Sequence, residues 1–111
     1  MEKNVRKFKN DTCFKLKIVL SVRKDEEVGC TLRKEDFCLL PFEEKIVEFG
    51  DKCNPFLNGI HVQTIDCAEC SETGLFTYKC HTVIDKLLNK NNVIRILIAA
   101  RSLVVSGFCI K

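Results

Sequence analysis

The sequence predicts an all-β fold, either an antiparallel β-sandwich or a barrel of jelly-roll or Greek-key type, with six to eight short strands. Two observations support this class. Apolar and polar residues alternate along much of the chain, and turn-forming residues separate the alternating runs. With 111 residues and 46% hydrophobic residues, the chain is long enough for one apolar core.

The first predicted strand follows a basic segment. Residues 1–11 are polar and basic, and we expect them to form a flexible N-terminal arm outside a single domain of residues 12–111. From Phe14 to Val22, every second residue is apolar, as in a strand with one buried face. The charged run 24–29 then predicts a turn.

The middle of the chain predicts shorter strands. Residues 30–40 alternate only partly, so we expect one extended segment or two short strands there. A proline bend leads into a strand at 46–49. The segment 51–59 contains Asn-Pro and Asn-Gly pairs, which favour turns because asparagine caps the local backbone and Asn-Gly tolerates positive φ. A further alternating strand is predicted at 60–65.

The last third contains the one candidate helix. Alternation predicts a strand at 75–84, but within residues 82–91 the apolar side chains have helical spacing, and Thr82 with Asp85 resembles a capping box. A short helix and a hairpin both fit this segment.

Two strands are predicted to complete the fold. Residues 93–100 are apolar on both faces, as in a central strand. Residues 103–111 form the last strand, with Gly107 predicted to mark a bulge or a bend.

Eight cysteines make disulfide bonds the main chemical expectation. Their even number suits complete pairing, although eight cysteines allow about a hundred pairings. Cys80 lies within a predicted strand, and we expect its side chain to be buried. The other seven fall at predicted strand ends or in loops and are the disulfide candidates: Cys13, Cys30, Cys38, Cys53, Cys67, Cys70 and Cys109.

A zinc site is the alternative use of these thiols. Cys67 and Cys70 form a Cys-x-x-Cys pair, which supplies half of a tetrahedral site. Cys80 and His81 are adjacent on a predicted strand and would point to opposite faces, so only one of them could be a ligand. The alternative ligand set is Cys53, Cys67, Cys70 and Cys80, with His81 able to replace Cys80.

Catalysis has little support in the sequence. No nucleophile or phosphate-binding motif is present, and His61 and His81 lie on predicted strands. Acidic residues flank Cys67 and Cys70 and would raise rather than lower a thiol pKa. We therefore predict no catalytic residues, no cofactor and no enzyme.

Charge and hydropathy constrain the partners. The net charge is +6 over residues 1–24, −8 over 25–72 and +5 over 73–111, a division that could attract a second copy of the chain. Basic residues alternate with core positions, so we do not expect nucleic acid binding. The longest apolar run contains Arg95 and Arg101, so we expect no membrane insertion.

We therefore predict a non-enzymatic structural or assembly subunit. It would self-associate through its N-terminal arm and exposed sheet edges, with cysteine crosslinks, as a homo-oligomer or filament. No signal peptide is recognisable, yet the cysteine content favours a cell, spore or virion surface over the cytoplasm. The alternative is a cytoplasmic binding or regulatory domain that holds one structural zinc.

Overall fold

The computed structural model describes residues 3–68 and 70–110, which form eight strands, one short helix and their connections. The predicted all-β, sandwich-like fold is confirmed. The elements are β1 (Val5–Asn10), β2 (Lys15–Arg23), β3 (Thr31–Leu39), β4 (Glu44–Glu48), β5 (Leu57–Ile65), β6 (Glu72–Phe76), α1 (Val83–Asn89), β7 (Val93–Ala99) and β8 (Ser102–Phe108).

The strands form two four-stranded sheets. The first has the order β4-β1-β7-β8 and the second the order β3-β2-β5-β6. Within the described residues, β1 and β7 pair in parallel, and the other neighbours pair antiparallel. The sandwich is therefore mixed rather than purely antiparallel, because β1 and β7 both begin at the same end of the molecule.

The strand register defines two ends of the sandwich. The end where β1 and β7 begin also holds the β2–β3 loop, the β4–β5 loop and α1, and we call it the helix end. The opposite end holds the β1–β2 and β5–β6 connections, and we call it the far end. These two ends carry most of the residues that the sequence singled out.

The core lies between the inner faces of the two sheets. The ring of Phe8 from the first sheet contacts the ring of Phe37 from the second edge-on, with 5.0 Å between centroids. Leu88 of α1 is fully buried and closes the core at the helix end. The buried cluster comprises Phe8, Leu16, Ile18, Leu20, Val22, Leu39, Phe49, Leu57, Ile60, Val62, Leu88, Ile94, Ile96 and Leu103.

The predicted flexible N-terminal arm is wrong for residues 5–10. These residues form β1, an inner strand of the first sheet, with Phe8 fully buried. The inward-facing polar groups are satisfied: Arg6 Nε donates to Leu88 O (3.2 Å), and Asn10 Nδ2 donates to Leu40 O (2.9 Å). Residues 1 and 2 of the predicted arm lie outside the described residues.

Two predicted boundaries are also wrong. The predicted turn at residues 58–59 lies inside β5, because the buried Asn58 amide bonds to Arg23 and to the β2–β3 loop instead of to its own local backbone. The predicted strand 75–84 ends at Phe76. The ambiguous segment is a helix, and Thr82 caps it by accepting a hydrogen bond from Asp85 N.

Gly107 marks neither a bulge nor a bend, since β7 and β8 pair in continuous register from Val93↔Phe108 to Ala99↔Ser102. A Cβ at Gly107 would lie 3.0 Å from Leu87 O and 2.8 Å from Asn91 Nδ2. The glycine therefore permits the end of α1 to approach β8 closely.

Candidate association site

The fold divides the eight cysteines equally between its two ends. Four lie in or beside the loops of the helix end, and four lie at or near the far end. The helix-end group is Cys30, Cys53, Cys80 and Cys109, and the far-end group is Cys13, Cys38, Cys67 and Cys70. This distribution follows from the register of the strands and is invisible in the linear spacing of the cysteines.

One pair is placed to form a disulfide bond. Cys67 and Cys70 lie within bonding distance in the β5–β6 connection, with 5.6 Å between their Cα atoms. Cys13, Cys30, Cys38, Cys53, Cys80 and Cys109 are free and exposed. The prediction that Cys80 is buried is wrong, because β6 ends four residues earlier and leaves Cys80 in a loop.

The alternative zinc ligand set is not brought together. Cys53 and Cys80 lie at the helix end, whereas Cys67 and Cys70 lie at the far end, and the nine residues of β5 separate the ends by about 27 Å. Among residues 3–68 and 70–110, no group of three or more His, Cys, Asp or Glu side chains is placed to hold a metal ion.

The two histidines lie in different surroundings. His61 is on β5, as predicted, and its Nε2 lies 3.6 Å from Glu72 Oε2. His81 is not on a strand: it lies in the loop before α1 with φ of 62°, and its backbone N–H donates to Asp85 Oδ2. Only His61 therefore lies on a strand, as the sequence predicted for both histidines.

The basic and acidic blocks of the sequence meet within one molecule. Glu44 on β4 bridges Lys7 (3.1 Å) and Lys9 (3.3 Å) on β1, and hydrogen bonds from these two ammonium groups lower the pKa of Glu44. Lys15 on β2 similarly pairs with Asp66. Charge segregation in the sequence thus becomes charge pairing across strands, and it supplies no separate argument for association.

Each sheet has two edge strands, and three of the four edges are protected. β3 and β4 carry charged residues, and Lys45 Nζ donates to Cys38 O (3.1 Å) across the gap between the sheets. β6 is only five residues long and begins with Glu72. Charges and short length are the usual devices that prevent edges from pairing with other chains.

The fourth edge, β8, has neither protection. Residues 102–110 contain no charged side chain, and β8 is seven residues long. Among the residues that the structure describes, its backbone hydrogen-bonds to β7 and to no other strand. Val104 and Phe108 on its outer side are each 37% exposed. Of the four edges, β8 is the one without these two protections, and α1 packs against it near Gly107.

A buried ion pair fixes the loops of the helix end. Arg23 Nη2 lies 2.7 Å from Asp85 Oδ1, and both side chains are buried. Asn89 Nδ2 also donates to Asp85 Oδ1, while Asn58 Oδ1 accepts from Arg23 Nε. Burial alone would raise the pKa of Asp85, but the hydrogen bonds from Arg23, His81 and Asn89 outweigh it and lower that pKa.

Comparison of the chain with known protein families, curated proteins and solved structures finds no match. Within the described residues, no helix is long and apolar enough to cross a bilayer.

Proposed function

We propose that the protein is a non-enzymatic assembly subunit that self-associates through the β8 edge and is then crosslinked by its exposed cysteines. The observation that carries this proposal is the β8 edge, which is uncharged and, among the residues that the structure describes, has no strand partner on one side of its backbone. The N-terminal arm has no part in the proposal, because residues 5–10 are built into the sheet.

A second copy of β8 is the partner that fits this edge. Two identical strands pair antiparallel across a two-fold axis, so that each residue contact occurs twice and the main-chain donors and acceptors match. The first sheets of two copies would then form one continuous eight-stranded sheet. With the two-fold axis at Ser106, Val104 of each copy would lie opposite Phe108 of the other, and both side chains would lose exposed apolar surface.

Cysteines would extend or lock this association. Cys109 follows β8 at the helix end, Cys13 lies at the far end, and both are exposed. A bond between Cys13 of one copy and Cys109 of another is a head-to-tail contact, which propagates from copy to copy.

Electrophoresis without reductant tests the crosslinking step. We expect purified protein exposed to air to show a ladder of multiples of 12.7 kDa that collapses to one band with reductant. Cys13→Ser combined with Cys109→Ser should remove most of the ladder. Cys38→Ser combined with Cys53→Ser, which also removes one exposed thiol from each end, should retain it.

Two outcomes of this experiment contradict the crosslinking proposal. A single 12.7 kDa band without reductant would show that the exposed thiols do not join copies. Equal loss of the ladder in both double variants would show that no particular pair of cysteines is responsible.

A further inference from the structure

Asn58 and Gly59 form the one Asn-Gly pair in the sequence. The pair predicts a turn, yet it lies inside β5, an inner strand of the second sheet. Asn-Gly is the dipeptide in which asparagine most readily loses its side-chain amide, because glycine has no side chain to shield its own backbone nitrogen. The fold therefore holds a chemically labile pair in the middle of a sheet, away from the β8 edge.

The Asn58 amide is held by hydrogen bonds at both of its polar atoms. Its Oδ1 accepts from Arg23 Nε (2.8 Å) and from Gly29 N (3.1 Å), and its Nδ2 donates to Cys30 O (2.8 Å). The residue is fully buried. Deamidation requires the Gly59 nitrogen to reach Asn58 Cγ, so the amide would have to rotate away from these partners. The folded protein therefore blocks the first step.

The reaction is open to an unfolded chain and needs only water. The Gly59 nitrogen attacks Asn58 Cγ, a new C–N bond forms as the bond from Cγ to Nδ2 breaks, and ammonia leaves with the proton of the glycine amide. Water then opens the resulting succinimide ring at either carbonyl. The products are aspartate and isoaspartate, and no oxidant or enzyme takes part.

Neither product fits the folded structure. An aspartate at position 58 would turn its second oxygen toward Cys30 O, where Nδ2 now donates, and two acceptors repel each other. It would also bring a second carboxylate to Arg23, which already pairs with Asp85. Isoaspartate adds a methylene to the backbone of β5, which would break its register with β2 and β6.

We propose that Asn58-Gly59 is a spontaneous deamidation site that folding closes, so that a chain left unfolded is converted to a form that cannot refold. The time that a chain spends unfolded then determines whether it can still reach the folded state. The proposal does not depend on self-association.

Peptide mapping by mass spectrometry, after incubation in reductant over a series of guanidinium chloride concentrations, tests the protection. The deamidation rate at Asn58 should follow the unfolded fraction measured by circular dichroism. It should be at least about a hundredfold slower in buffer than in the unfolded chain, because only a rare open state can react. In the unfolded chain Asn58 should react faster than Asn91, whose neighbour Asn92 has a side chain. A rate at Asn58 that is independent of denaturant would overturn the proposal.

Refolding of partly deamidated protein tests the consequence. After removal of denaturant, size-exclusion chromatography should find Asn58-deamidated chains outside the folded fraction. Asn58→Asp supplies the aspartate product in pure form and should lower the denaturation midpoint or prevent folding. Gln63→Glu makes the same change of charge on the outer face of β5, beside Lys17, and should keep a midpoint near the wild-type value. Equal midpoints for the two variants, or deamidated chains in the folded fraction, would contradict the proposal.

Discussion

The buried pair of Arg23 and Asp85 connects the end of β2 to the first turn of α1. The two positions are 62 residues apart, and both groups also bond to polar side chains whose burial the sequence pattern does not predict. Removing one member of such a pair leaves the other charge buried and unpaired, which is costlier than losing an exposed ion pair.

The lowered pKa of Asp85 predicts a loss of stability in acid. The pKa of Asp85 is lower in the folded protein than in the unfolded chain, where it is about 3.9. Between these two pKa values the unfolded state binds more protons than the folded state, so the free energy of unfolding falls as pH drops below about 4. At pH 7, Asp85→Asn should cost about 3 kcal/mol in the free energy of unfolding. The difference in the free energy of unfolding between Asp85→Asn and the wild type should become smaller as pH falls toward 2.

Urea unfolding in reductant across this pH range measures the effect. The matched control is Asp36→Asn, which changes an exposed residue on β3. Its free energy of unfolding should stay within about 0.5 kcal/mol of the wild-type value at each pH. A constant difference between the wild type and Asp85→Asn from pH 7 to pH 2 would contradict the assigned role of the ionised carboxylate.

At the scale of elements, the contact of α1 with β8 depends on Gly107. Gly107→Ala should destabilise the protein by about 1–3 kcal/mol, because the added Cβ would press against Leu87 O and Asn91. Gly74→Ala is a matched control in β6, where the nearest atom to a new Cβ is 3.5 Å away, and it should have little effect. Thermal unfolding compares them, and equal Tm values for the two variants would contradict the close packing of α1 on β8.

The elements that sequence patterns identified are those with apolar inward positions. β2 alternates over its whole length, and β7 is apolar on both faces, so both were predictable. β1 was not, because two of its three inward positions are Arg6 and Asn10. Their hydrogen-bond acceptors Leu88 O and Leu40 O are distant in sequence, and periodicity cannot reveal such partners.

At the scale of the whole molecule, only part of the candidate site was predictable. The sequence predicts the cysteines as disulfide candidates, and it shows that residues 102–110 carry no charge. It does not reveal that β8 is an edge strand or that the cysteines divide between two ends, because both depend on strand order and register. The same register separates the Cys53 and Cys67 thiols that a zinc site would need together.

Two variants on opposite edges of the first sheet test the β8 interface. Val104→Lys adds a charge to the outer side of β8, which should block strand pairing. Ile46→Lys makes a similar change on β4, at a residue that is 65% exposed, and should leave association unchanged. Both positions face solvent in a single copy, so neither change should disturb the fold.

Sedimentation velocity at high protein concentration, in reductant, is the most direct measurement of the association claim. Reductant removes disulfide crosslinks, so only the edge contact remains. We expect the wild type and Ile46→Lys to sediment with at least twice the monomer mass of 12.7 kDa, and Val104→Lys to sediment as a monomer. A wild-type monomer, or an oligomer that Val104→Lys leaves intact, would contradict association through β8.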